Sequence, residues 1–359
     1  MIDYFQVSPH IPVLWNHAQS EYVDSKNATL NLETTNICNL RCMFCPHHLM
    51  KRRQGVMQES LFRKIIDEAT AIGFRKAILS GCGEPLCDKY IVERIAYIKQ
   101  HNINDIDLTT NGYLLTDSLL TKLFQAGLTR LHLSLAPFRE YQLTRPGTDA
   151  ERVFDMVRSL KNNPYLNNIE INYLDAGIAT LTEQKEFFDF LNKSHFHLIS
   201  QMNKFNWSRS GDTSFLRARE PYRPTPCLCW ALWMPSITWD GLCIRCCIDA
   251  EAETVIGDLN THNLSNILNC ETIREIRRNH LNGKFMKYCL ACNVPMSVED
   301  RDKTELLSLK YLWRCANIYL FHSKSIIGYK PSLYDGLRLL LNKYRKYLLS
   351  WLSRRYCGR

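Results

Sequence analysis

Between Asn27 and about Ser200, short apolar runs of strand character alternate with segments whose apolar residues recur at helical spacing. The runs Thr29–Thr34, Ala77–Ser80, Asp105–Thr109, Arg130–Leu135, Asn168–Leu174 and His195–Ser200 predict strands. Leu61–Ile72, Tyr90–Gln100, Ser118–Gln125, Arg152–Lys161 and Glu183–Asn192 predict helices. Six strands alternating with helices predict βα units and a parallel sheet. Such sheets hold ligands beyond the carboxyl ends of their strands, which says where chemistry is to be sought. After about Lys204 the alternation stops. A Pro- and Cys-rich stretch runs to Asp249, a loop-rich stretch with one helix, Glu271–Asn279, reaches Cys292, and from about Thr304 the pattern is helical. The predicted organisation is an extension over 1–27, an α/β domain over 28–205, a small Cys-rich domain over 206–300 and a helical tail over 301–359.

The 359 residues are 45% hydrophobic and 23% charged, ordinary globular values that exclude a disordered or fibrous chain. No run of eighteen apolar residues predicts a spanning helix, and the first residues, Met1-Ile2-Asp3-Tyr4, do not read as a signal peptide. The net charge of +9 is concentrated: Lys324–Arg359 holds nine basic residues and one acid, Asp335. A nearly neutral body with a basic tail gives no reason to expect a nucleic-acid partner. Fifteen cysteines change the picture more. In a long chain with no export signal, clustered thiols point to metal or catalysis in a reducing, cytoplasmic setting.

Directly after the first strand stands Cys38-Asn39-Leu40-Arg41-Cys42-Met43-Phe44-Cys45. Three thiols at C-x3-C-x2-C can reach one cluster from a single loop. Iron–sulfur clusters normally take four thiolates, so three leave one iron open to bind a small molecule. The same spacing is also open to a zinc knuckle or to incidental thiols. Later strand ends add Ser80-Gly81-Cys82-Gly83-Glu84-Pro85, Thr110-Asn111-Gly112 and Ser134. The glycines there allow close backbone approach to a ligand, and Glu84 could accept from an amine.

With Cys38, Cys42, Phe44 and Cys45 in C-x3-C-x-aromatic-C, and Gly81-Cys82-Gly83-Glu84-Pro85 as a looser Gly-Gly-Glu-Pro motif, the chain resembles the radical S-adenosylmethionine (SAM) superfamily over about residues 28–200. The resemblance implies a partial (β/α)6 barrel holding a [4Fe–4S] cluster whose open iron chelates SAM. It implies that Gly81, Gly83 and Glu84 hold the methionine amine and that Phe44 lies near the adenine. Asn111 and Ser134 would contact the ribose or methionine end. Arg145, in Thr144-Arg145-Pro146-Gly147, would pair with the carboxylate, as a planar guanidinium does well.

A second cysteine field runs from Cys227-Leu228-Cys229 through Trp239-Asp240-Gly241 to Cys243-Ile244-Arg245-Cys246-Cys247-Ile248-Asp249, then Cys289-Leu290-Ala291-Cys292. Asp240-Gly241 between apolar runs is a hairpin signal. Four thiolates here would serve zinc equally well. The order of these residues, with Gly257-Asp258-Leu259, resembles a SPASM or twitch domain, which implies an auxiliary [4Fe–4S] cluster on Cys229, Cys246, Cys289 and Cys292. Cys227 and Cys247 compete for the first two places. The chain lacks the further C-x5-C-x3-C cysteines of the longest SPASM form, so one auxiliary cluster is expected. Cys87, Cys270, Cys315 and Cys357 read as structural thiols, and Cys82, inside the glycine motif, as a candidate hydrogen donor.

The implied activity is reductive cleavage of SAM to a 5′-deoxyadenosyl radical, hydrogen abstraction from substrate and passage of the substrate's electron to the auxiliary cluster. A one-electron donor such as flavodoxin or ferredoxin is implied as partner. Only about 27 residues precede the first strand, which points to a small or carbohydrate-type substrate. A peptide-modifying enzyme (crosslinking, epimerisation or maturation) and a non-catalytic metal-binding protein are the alternatives. In the tail, Leu333, Leu337, Leu340, Leu341, Tyr344, Leu348, Trp351 and Leu352 recur at helical spacing after Pro331-Ser332. They predict a basic amphipathic helix that docks on the barrel or lies on a membrane surface as a peripheral contact.

Overall fold

A computed structural model describes residues 22–23, 25–26, 28–196, 198–203, 234–247, 249–282, 284 and 286. Cys227, Cys229, Cys289, Cys292, Cys315, Cys357 and the tail helix after Ser332 lie outside the described residues. Chain contacts divide the protein into a unit through Thr304 and a second from Glu305 to Arg359, and every described residue belongs to the first.

The strands are β1 (Thr29–Leu32), β2 (Lys76–Leu79), β3 (Asp105–Thr110), β4 (Arg130–Leu135), β5 (Ile169–Asp175) and β6 (Leu198–Asn203), followed by β7 (Ser236–Ile237), β8 (Leu242–Ile244) and β9 (Val255–Asp258). Between them lie the helices α1 (Glu59–Ala71), α2 (Ile91–Gln100), α3 (Asp117–Ala126), α4 (Phe138–Thr144), α5 (Ala150–Ser159), α6 (Leu181–Lys193), α7 (Leu264–Leu268) and α8 (Glu271–Leu281). Among the described residues the strands form one sheet in the order β6-β5-β4-β3-β2-β1-β7-β8-β9. Strands β1 to β6 pair in parallel with their sequence neighbours, the arrangement that helical crossovers produce.

Alternation along the strands sorts the chemistry. Leu30, Leu32, Leu79, Ile106, Leu108, Leu131, Leu133, Ile169 and Ile171 are fully buried against helix residues such as Phe62, Ile65, Ile95, Leu123, Val157 and Leu191. Burial of each such side chain is worth about 1.5–3 kcal/mol. The opposite face is polar. There Lys76 Nζ lies 3.2 Å from Asp105 and 3.5 Å from Asp107, while His132 bridges Asp107 at 3.4 Å and Glu170 at 3.7 Å. Local signals set the helix ends: Thr116 caps α3, which stops at left-handed Gly127, and a Thr180–Glu183 capping box opens α6.

Two elements differ from the sequence expectation. The sixth strand begins at Leu198 rather than His195, because α6 is closed by Ser194 and His195 takes a left-handed φ of 62°. The stretch before Arg145, without a predicted element, is helix α4. Its seven residues, between Pro137 and Pro146, are too few to show a periodicity.

After the undescribed interval the chain rejoins the sheet. Strand β7 runs parallel to β1, with Glu33 N–H donating to Ile237 O at 2.9 Å, and β8 and β9 follow antiparallel. The β7–β8 turn closes at Gly241, whose φ of 92° favours glycine. The Cys-rich hairpin is therefore a direct extension of the parallel sheet.

Candidate metal and cofactor centre

The three thiols of Cys38, Cys42 and Cys45 sit on the loop that leaves β1. Hydrogen bonds close this loop at its base: Thr35 Oγ1 to Gly55 O at 2.8 Å, Gly55 N to Asn36 Oδ1 at 2.8 Å, and Asn36 Nδ2 to Arg53 O at 2.9 Å. Cys45 turns back on the loop, its N–H donating to Cys42 O at 3.0 Å, and precedes a short helix opened by Pro46. Buried His47 fixes the far side through Asn36 O at 2.8 Å.

Burial pushes the Cys38 and Cys45 thiols up to about 12, each raised further by a neighbouring cysteine. Burial also raises Cys42, against the pull of Arg145. Such thiols are protonated and poor nucleophiles at neutral pH, whereas a coordinating metal removes the proton outright. Three thiols on one loop, whose protons a metal would displace, are a donor set that fits an iron–sulfur cluster. Among the described residues no three Cys, His, Asp or Glu side chains converge on one ion position.

Glu84 is buried beside this loop. Its Oε1 accepts from Thr110 Oγ1 at 2.7 Å and Leu86 N at 3.1 Å, and its Oε2 from Asn111 N at 2.7 Å. Burial raises its pKa and these three donors lower it. An ionised carboxylate offers about four acceptor positions, so roughly one remains for a ligand. The glycines beside it permit close approach within the chain itself. A Cβ on Gly83 would stand 2.3 Å from Thr35 O, and one on Gly81 2.6 Å from the Glu33 side chain. They bring the β2 loop onto the chain's own cluster loop. Asn111 joins the same junction through Asn39 Oδ1 at 2.9 Å.

Arg145 is 2% exposed. Its guanidinium lies over the rings of Tyr141 at 4.3 Å and Phe44 at 5.2 Å, and donates to Ser134 Oγ at 3.2 Å and Thr144 Oγ1 at 3.2 Å. Its Nε is buried without a hydrogen-bond partner, as is the hydroxyl of Tyr141. Phe44, Ser134 and Arg145 are thus brought together at Cys42, and Met43 N is tied to Thr144 O at 2.9 Å. A buried cation with unfilled donors calls for an anion. Tyr141 went unnoticed in the sequence because only helix α4 brings it one turn before Arg145.

Of the auxiliary candidates, Cys246 lies in the β8–β9 loop with its thiol hydrogen-bonded to that of Cys247, a contact that with burial raises Cys247. Cys243 is buried on β8, its thiol pushed up to about 12 by burial with a further push from Cys270. Asp249 organises the loop, accepting from Thr254 N at 2.8 Å and Thr254 Oγ1 at 2.6 Å.

Two further residues escaped the sequence reading. Glu33, just past β1, makes a bidentate pair with Arg52 at 2.8 and 2.7 Å. An acid ending an apolar strand, followed by the basic run Lys51-Arg52-Arg53, was the available signal.

Comparison with known proteins follows the same division. Residues 32–186 match the radical SAM superfamily, and residues 227–293 match an iron–sulfur cluster-binding domain, SPASM. A probable GTP 3′,8-cyclase of Methanococcus vannielii is 33% identical over 171 residues, which cover 46% of this chain and 55% of that one. A probable GTP 3′,8-cyclase of Methanocaldococcus jannaschii is 36% identical over 155 residues, 42% and 50% of the two chains. The chain spans about half the length of the curated relatives it matches. Among solved structures, BtrN in complex with AdoMet and 2-DOIA aligns with a TM-score of 0.51 at 16% identity, over 74% of this chain and 92% of that one. Streptococcus suis SuiB bound to precursor peptide SuiA aligns with a TM-score of 0.57 at 15% identity, over 79% and 72%. At these identities the likeness is one of fold. A thiol-bearing loop after the first parallel strand, the two family matches and the shared fold place the chain in the radical SAM superfamily, with a C-terminal SPASM domain.

Proposed function

We propose that Cys38, Cys42 and Cys45 hold the SAM-binding [4Fe–4S] cluster, and that Arg145 with Tyr141 receives the SAM carboxylate. The observation that carries this reading is the buried Arg145 guanidinium, stacked between Phe44 and Tyr141 beside Cys42, with its Nε unpartnered. When bound, the reduced cluster and SAM supply a carbon-centred radical that removes hydrogen from an unactivated C–H bond. The chain's own residues orient and exclude. Phe44 and Tyr141 keep water from the guanidinium, which strengthens its hold on an anion. Glu84 fixes the ends of β2 and β3 through Leu86, Thr110 and Asn111, and keeps one acceptor position for the methionine amine.

We assign Cys246 to an auxiliary [4Fe–4S] cluster with Cys229, Cys289 and Cys292. The activity proposed is net two-electron oxidation of a small, hydroxylated or carbohydrate-type substrate, with a flavodoxin or ferredoxin as electron donor. Anaerobic reconstitution with an iron count, then assay of SAM cleavage under dithionite, tests the centre. About eight irons per chain are expected for two clusters. Incubation with a cell's small-molecule extract then tests the substrate, the expected product being a metabolite lighter by two hydrogens. Consumption of a nucleoside triphosphate instead would replace the proposed substrate class.

A further inference from the structure

The loop carrying the first cluster's cysteines and the loop carrying Cys246 meet through one buried ion pair. Glu33 takes both guanidinium nitrogens of Arg52, at 2.8 and 2.7 Å. Its Oε2 also accepts from Cys82 N at 2.9 Å, inside the glycine motif, and its Oε1 from Trp239 N at 3.4 Å, in the β7–β8 turn. The Nε of the same guanidinium donates to Ala250 O at 2.6 Å. Lys51 N and Arg52 N donate to the Glu251 carboxylate at 2.9 and 3.2 Å. Trp239 Nε1 donates to Arg53 O at 3.3 Å, with the Arg53 guanidinium 5.3 Å from its ring. Residues 51–53, the return of the cluster loop, are thus held on both sides, by Glu33 below and by residues 250–251 of the auxiliary loop.

The connections beyond the pair are short. From Ala250 the chain runs through Asp249, whose N–H donates to Cys246 O at 3.0 Å. From Glu33 the contact passes to Cys82 N, and so to the loop that ends in Glu84. A metal on Cys246 would fix the turn that presents Ala250 O and Glu251. Without it Arg52 would lose part of what orients it, and Glu33 would hold Cys82 less well.

We propose that Glu33 and Arg52 are positioning residues that couple the two metal sites, so that loading of the auxiliary site tightens SAM binding at the first. This rests on the reading of Cys246 as an auxiliary ligand and goes beyond it, since that reading does not require the two sites to sense one another. Such coupling is reciprocal, so SAM also slows loss of metal from the auxiliary site.

The test is a cycle of four holoproteins reconstituted alike: the full chain, Cys246→Ala, Glu33→Gln and the double variant. Iron is counted in each, and SAM affinity is read from the change SAM makes in the electron paramagnetic resonance signal of the reduced first cluster. Cys246→Ala should lower iron from about eight to about four, as loss of one [4Fe–4S] cluster requires. Full iron retention would overturn the ligand reading and the coupling with it. With iron halved, Cys246→Ala should weaken SAM binding about fivefold in the native background, within the usual range of coupling between sites, and less than about twofold in the Glu33→Gln background. An equal loss in both backgrounds is what a merely structural pair would give, and it would overturn the coupling while leaving the ligand reading intact. No loss in the native background would do the same. If Glu33→Gln fails to load iron, Arg52→Lys replaces it in the cycle. It keeps the charge beside Glu33 but cannot span Glu33 and Ala250 O together, so the same collapse of the fivefold effect is expected.

Discussion

The two cysteine regions are built on opposite principles. The first is local: three thiols within eight residues, on a loop whose ends are pinned by Thr35 and Asn36 to Gly55. In the second, the described cysteines lie on and just after a hairpin added to the sheet edge. Within it Cys246 meets Cys247, while Cys243 faces away into the core. In the first, spacing alone states which thiols act together. In the second, neighbours in sequence point to different places, so spacing is a poor guide to ligand identity.

The sharpest way to break this contrast is to remove one thiol from the local site. Cys42→Ala leaves two thiolates, too few to hold a cluster with an open iron, and SAM cleavage should fall at least about 100-fold. A Cys42→Ala protein forming 5′-deoxyadenosine at the native rate would show that the motif is not the centre. Arg145→Lys comes next. Lysine keeps the charge but has no planar fork to stack between Phe44 and Tyr141 or to grip a carboxylate in two places, so SAM affinity should fall about tenfold with iron unchanged. Unchanged affinity by equilibrium dialysis would free Arg145 from the site. Tyr141→Phe sharpens the same point in the other direction. Removing a buried, unpaired hydroxyl should leave the protein as stable or about 1 kcal/mol more so in thermal melts, yet weaken SAM binding, if that hydroxyl waits for the ligand.

How much of this was legible follows from the same contrast. The parallel order of the strands and the cluster loop after β1 could be read because each depends on neighbours in sequence: alternation, caps, and thiols on one turn. The burial of Arg145 could not. It depends on the seven-residue helix α4 and on Phe44 arriving from a loop about a hundred residues earlier. The joining of β7 to β1 was equally hidden, since Asn31 pairs with Ser236 across some two hundred residues. Glu33 and Arg52 carry the same lesson, because their partners Trp239 and Ala250 lie in the other cysteine region. Sequence spacing marks where ligands lie on one segment, and only the fold shows which segments answer one another.

The distributed site gives a smaller and more selective effect. Cys289→Ala should remove about half the iron and block turnover while leaving part of the SAM cleavage, since the first cluster's three thiolates lie on a separate segment. Full iron in that variant would mean that another thiol, such as Cys247 or Cys227, completes the auxiliary set.

The smallest effect is expected at Cys82, which lies between the two regions. Cys82 is 6% exposed, its thiol meets the Arg52 guanidinium with Glu33 and Cys45 nearby, and burial is the main cause that raises its pKa. A hydrogen donor to a substrate radical must face the substrate, whereas this thiol faces an ion pair inside the protein. Its structural contribution runs through the main chain, because Cys82 N–H rather than the sulfur holds Glu33. Cys82→Ala keeps that N–H and removes one small buried atom. It should cost about 1 kcal/mol in thermal stability and leave turnover within about twofold, with the same product stereochemistry. Solvent deuterium entering the product of the native protein but not that of Cys82→Ala would instead show that the thiol quenches a substrate radical, which would replace the proposed oxidation by an epimerisation and turn a residue of the junction into one of the reaction.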